Sequence, residues 1–121
     1  MARVILVAVK DLLFGSKIQE AGKRSGTPLQ WASRFERLRD VAAAKQPDVV
    51  IADLGEPGLV DELAAVKQAL PNVRIVAFAG HTQEATFAQA EAVGVNELFT
   101  KGQFSAQVEK ILVREAGSAG A

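Results

Sequence analysis

Two rhythms of apolar and polar positions alternate along this chain. Short continuous apolar runs at residues 4–9 and 49–52 have the length and β-branched content of strands covered on both faces; residues 73–79 read as another buried strand and 95–100 as a short last one. Between them, apolar residues recur at helical spacing. Leu13, Phe14, Ile18 and Ala21 predict a first helix, stopped by Gly22, Lys23, Arg24 and Gly26. Residues 27–32 alternate weakly and suit an edge strand. Ser33 and Glu36 have the spacing of a capping box, opening a second helix to about Lys45 with Phe35, Leu38 and Ala42 inward. The clearest stripe is the third, Leu59, Leu63, Val66 and Leu70, closed by Pro71. A fourth helix over about 83–93 is alanine-rich with a faint apolar stripe, so its packing should be loose, and Gly94 is its cap. A last helix is predicted over 105–115, with Val108, Ile111 and Leu112 inward. Five strands alternating with five helices predict an α/β fold, a doubly wound five-stranded parallel sheet in the order 2-1-3-4-5.

Composition narrows the class. The 121 residues suffice for one core without staples, and residues 1–116 are expected to form a single domain with 117–121 as a frayed tail. There is no cysteine, which removes disulfides, thiolate catalysis and zinc–cysteine sites. Fourteen basic residues balance fourteen acidic ones, so nucleic acid and anionic membrane gain no general attraction. The opening apolar run is too short to span a bilayer or to serve as a signal sequence. The expectation is a soluble, cytoplasmic protein, a monomer or homodimer.

The chemistry gathers on one stretch, residues 47–58, PDVVIADLGEPG, in which an apolar run ends in Asp53 and a Gly/Pro loop. In the predicted strand order the carboxyl ends of strands one, three, four and five adjoin. That brings Asp11, Asp53, residues 79–82 and Lys101 to one rim, where such sheets bind and react. An acceptor carboxylate, a second acid for a divalent cation and a lysine to offset charge are what phosphoryl transfer to an aspartate needs.

At this point the chain resembles the receiver domain of bacterial response regulators, the flavodoxin/CheY-like topology of two-component signal transduction. The resemblance rests on PDVVIADLGEPG, with Pro57 four residues after Asp53, and on the VRIVAFAG and GVNELFTKG segments. It implies that Asp53 is the phosphoacceptor, that Lys101 is the phosphoryl-pairing lysine, and that the Gly55 carbonyl joins Asp11 and Asp53 around magnesium. It also exposes departures. Receivers usually carry two adjacent acids after the first strand, where this chain has Lys10 and Asp11. They usually carry a serine or threonine after the fourth, where it has Ala79; Leu98 and Gly102 replace the usual aromatic and proline. With one acid and the switch hydroxyl missing, magnesium should bind weakly and phosphorylation of Asp53 should be weak or absent. Thr82 and Thr100 are the nearby hydroxyls that could substitute. The implied protein is a stand-alone pseudo-receiver that signals through protein contacts rather than turnover. Its partner would be a signalling protein, with a histidine kinase as one candidate, and its docking face would include the alanine-rich fourth helix.

Other readings carry less. A small-ligand or cofactor-binding flavodoxin-like module using the same rim is the alternative, with Gly55, Gly58, Gly80 and Gly102 leaving backbone room. No phosphate-cradling, nucleophile-elbow or zinc motif occurs. His81, the one histidine, has no partner in sequence to make it catalytic. Arg34, Arg37, Arg39 and Lys45 are interleaved with Glu36 and Asp40 and read as a salt-bridged helix surface. Asp11 has a second role available, as the cap of the first helix.

Overall fold

Strands β1 (Ile5–Ala8), β2 (Gln30–Trp31), β3 (Val49–Asp53), β4 (Arg74–Ala79) and β5 (Glu97–Thr100) alternate with five helices. These are α1 (Leu12–Ser25), α2 (Leu38–Lys45), α3 (Leu59–Ala69), α4 (Glu84–Ala92) and α5 (Lys101–Gly117). The structure is a computed structural model and describes residues 3–32, 37–80 and 83–117. All strand pairs are parallel and the sheet order is β2-β1-β3-β4-β5, as the patterning predicts.

Side chains alternate between the two faces of each strand, and each face is roofed by a different set of helices. On one side Leu6, Val50, Ile75 and Ala79 pack under Leu38, Leu59, Leu63 and Val66 of α2 and α3 and Ala90 of α4. On the other, Ile5, Val7, Ile51, Val76 and Phe78 pack under Ile18 of α1 and Phe104, Val108, Ile111 and Leu112 of α5. Helix α4 buries only Ala90, in keeping with its faint stripe.

The boundaries differ from the sequence reading where local hydrogen bonds intervene. Strand β2 was expected over 27–32 but is two exposed residues long. The Thr27 amide is drawn instead to the Gly22 carbonyl at 2.8 Å, closing α1 around Gly26, whose φ of 70° is left-handed. Pro28, which follows, has no amide to give a ladder. Helix α5 starts four residues earlier than expected, because the Thr100 hydroxyl accepts from the Gln103 amide at 3.1 Å and the Gln103 side chain accepts from the Thr100 amide at 3.0 Å. This is a capping box, and the Thr-x-x-Gln spacing was readable in the sequence. At its other end α5 includes Gly117, where a tail was expected to begin. The box expected from Ser33 and Glu36, and the inward Phe35, lie outside the described residues.

No helix among the described residues is long and apolar enough to cross a membrane.

Candidate functional site

Strand β3 positions Asp53. Every residue of this strand is buried, and Asp53 at its carboxyl end is 4% exposed. Its backbone is fixed by pairing with Phe78 of β4, and the ladder continues one step further as the Leu54 amide donates to the Phe78 carbonyl at 2.8 Å. The carboxylate itself is held lightly. Oδ1 accepts from the Gly55 amide at 2.9 Å, and no cation lies within ion-pair distance among the described residues. Gly55 is needed here for room: a Cβ at that position would sit 3.1 Å from Asp53 Oδ1.

The other predicted rim residues share the carboxyl edge of the sheet with Asp53, and no hydrogen bond or ion pair joins the described ones to it. Asp11 follows β1 and caps α1, its Oδ1 accepting from the Leu13 amide at 2.8 Å and the Phe14 amide at 3.1 Å. A carboxylate there satisfies free amides and meets the positive end of the helix dipole. Lys10 is exposed and does not turn inward to the carboxylates. Ala79 is fully buried at the end of β4, beside Thr100 of β5, and brings a methyl group where the resemblance leads one to expect a hydroxyl. The Thr100 hydroxyl oxygen accepts from the Gln103 amide in the α5 cap. Thr82 and His81 lie outside the described residues.

Lys101, the first residue of α5, is half-buried. Its Nζ lies 5.5 Å from the centroid of the Phe14 ring, within the range of a cation–π contact worth about 0.5–1 kcal/mol near solvent. It forms no ion pair with Asp53. The ring belongs to an aromatic stack that lies between α1, β4 and α5. Phe14 stacks on Phe78 at 4.9 Å and Phe78 on Phe104 at 4.5 Å, with Phe99 edge-on to Phe104 at 6.3 Å. Sequence reading placed Phe14 in the core of α1 but not beneath the lysine; no spacing rule joins residues so far apart.

Among the described residues no group of three or more acidic or histidine side chains is gathered as a metal cage. The donors at the rim are hard oxygens, two carboxylates and the Gly55 carbonyl, which suit magnesium in kind but are few, with one carboxylate oxygen of each acid already bonded to amides.

Of the described members of the basic cluster, Arg37 and Arg39 are ion-paired, while Lys45 donates to the Gln30 side-chain oxygen at 3.3 Å. Arg37 meets Asp40 at 2.8 Å within the α2 region, and Arg39 forms a fork with Glu62 of α3 at 2.7 Å. Hydrogen bonding to Arg39 holds the Glu62 carboxyl below the usual carboxylate range.

At the opposite end of the sheet is a network the sequence reading did not identify. Glu115 of α5, 2% exposed, accepts from Arg74 Nε at 2.8 Å and from Arg114 Nε at 2.9 Å, with Arg3 4.0 Å away. Both Arg74 and Arg114 also reach Glu97 at the start of β5. Burial pushes the Glu115 carboxyl up, but hydrogen bonds and charge from Arg74 and Arg114 outweigh it and leave it below the usual carboxylate range.

Comparison with solved structures places the fold. The chain superposes on the receiver domain of AraT, a response regulator from Geobacillus stearothermophilus, with a TM-score of 0.80 at 16% identity, covering 99% of this chain and 97% of that one. A response regulator from Hahella chejuensis gives 0.80 at 17% identity, covering 93% and 94%. The manganese-bound form of the response regulator Rcp1 gives 0.73 at 21% identity, covering 92% of each chain. The fold is that of the response regulator receiver domain, CheY-like in strand order and helix placement. No family model and no curated protein matches the sequence.

Proposed function

We propose that this chain is a receiver-type signalling module that works through protein contacts rather than turnover, with Asp53 in the acceptor position and phosphorylation there weak or absent. The observation that carries the reading is Asp53 itself. It is a buried carboxylate at the carboxyl rim of the sheet, hydrogen-bonded to the Gly55 amide, with no cation in ion-pair distance and no hydroxyl bonded to it among the described residues. A carboxylate buried at the strand end with a single amide partner among the described residues is a functional candidate on physical grounds.

Magnesium, which supplies charge neutralisation when bound to such sites, would be held by Asp11, Asp53 and the Gly55 carbonyl, with water completing the shell. Two carboxylates rather than three give a weak site. On the output side, a phosphoryl group shifts a two-state loop only through contacts that differ between the states, and Ala79 removes one of them. The partner is a signalling protein, with a histidine kinase as one candidate, and the setting is the cytoplasm.

The test is incubation with magnesium and acetyl phosphate, followed by intact mass and amide spectra. The expected result is little or no phosphate addition and no saturable change in α4 and β5. Stoichiometric addition that is lost in Asp53→Asn and accompanied by a large α4–β5 shift overturns the reading.

A further inference from the structure

The distance between Lys101 and Phe14 has a consequence for the acceptor position. We propose that Phe14 is the positioning residue for Lys101: it holds the ammonium over its ring and off Asp53, so that the lysine meets the acceptor carboxylate only by leaving the ring.

Each part of the arrangement is fixed separately. The Phe14 backbone is anchored because its amide donates to Asp11 Oδ1 at the start of α1. One face of its ring lies on Phe78, which is itself clamped by Phe104. Phe78 is the register partner of Asp53, so the stack is built beside the acceptor strand position. Lys101 is tethered at the other side by the Thr100–Gln103 capping box, which fixes where α5 begins and hence where the lysine stem starts. From that origin Nζ reaches the Phe14 ring at 5.5 Å, and no carboxylate lies within 4.0 Å of it among the described residues. Lys17 approaches the same ring at 5.8 Å, but its ammonium is also held by the Ser105 hydroxyl at 3.0 Å. A second positive charge near the ring loosens Lys101's own contact, which makes the parked position one the lysine can leave.

The energetics suit a residue with two resting places. An ammonium on an aromatic face and a solvent-accessible ion pair are of similar strength, so removing the ring should raise occupancy of the Asp53 side about threefold. The functional weight of this device rests on the reading of Asp53 as the acceptor position, but its geometry does not.

The test is read from the Lys101 ε-methylene resonances, without metal or phosphodonor. In the unsubstituted protein they should lie upfield of those of the exposed Lys110, displaced by the ring current. Phe14→Tyr should keep that displacement and Phe14→Leu should remove it. Asp53→Asn should leave the Lys101 signals in place when Phe14 is present and move them in the Phe14→Leu background. Coincidence of the Lys101 and Lys110 signals in the unsubstituted protein overturns the proposal, even if Phe14→Leu does not fold. An equal response to Asp53→Asn with and without the ring also overturns it. Efficient phosphorylation of Asp53 would end the weak-acceptor reading while leaving these signals to decide the positioning role.

Discussion

Two carboxylates are buried at opposite ends of one sheet, and they are treated in opposite ways. Glu115, near the amino ends of the strands, is 2% exposed and meets three arginines from three separate parts of the chain. Asp53, at the carboxyl ends, is 4% exposed and has the amide of a residue two places on. Burial is nearly equal, so burial does not explain the difference. A carboxylate that joins α5 to β4 and β5 is saturated with cations because its work is structural. Asp53, with one amide bond and no ion pair among the described residues, keeps oxygen capacity unused at the carboxyl rim, which is what supports the acceptor reading proposed above.

The comparison is most directly broken by neutralising each acid. Glu115→Gln leaves Arg74 and Arg114 facing an uncharged buried amide and should destabilise by about 3 kcal/mol, at the low end for a broken buried pair because Arg74 is partly exposed. Asp53→Asn should change stability by less than about 1 kcal/mol, since a single hydrogen bond is exchanged against relief of burial. Urea melts of both variants, read at constant slope, decide it; equal losses would mean that Asp53 is structural too.

Acid should separate the two ends next. The folded Glu115 carboxyl lies below its ordinary value of 4.5, so its contribution is fully present above that pH, declines as the unfolded chain takes up protons, and is lost once the folded value is passed. Stability should therefore fall below about pH 4.5, and Glu115→Gln should flatten that part of the profile.

Smaller effects sharpen the rim. Thr100→Ala should cost about 1 kcal/mol, the value of a helix cap, and leave any response to magnesium and beryllofluoride unchanged. A changed response with no loss of stability would return Thr100 to the site as the missing hydroxyl. Gly55→Ala, with its Cβ 3.1 Å from Asp53 Oδ1, should cost roughly 1 kcal/mol by displacing the carboxylate, seen as a shift of the Asp53 side-chain carbon signal.

The fold was legible because burial on both faces writes itself into composition: the runs that became β1, β3 and β4 can hardly be anything else. Strand order followed from the apolar strands being central. What sequence reading missed was local or long-range hydrogen bonding. The Thr100–Gln103 box was present as a spacing but lay hidden behind an assumed loop after Lys101. The expected β2 shrank because Thr27 closes α1 instead of extending a strand. The Arg74–Glu97–Arg114–Glu115 network was not readable at all, because charged residues at intervals of 17 and 41 positions show no periodicity.

At the rim, sequence by itself determined that an aspartate ends a buried strand, that Lys10 and Asp11 follow β1, that Ala79 ends β4, and that a lysine follows β5. These are facts of order along the chain. The caps made by Asp11 and Thr100 are local and their spacings stood in the sequence, whereas only the tertiary structure decided that Lys101 takes the ring of Phe14. The reason is physical, since strand order brings residues to a shared edge, whereas the partner of a long, flexible side chain is set by packing across the sheet and by small differences between competing contacts.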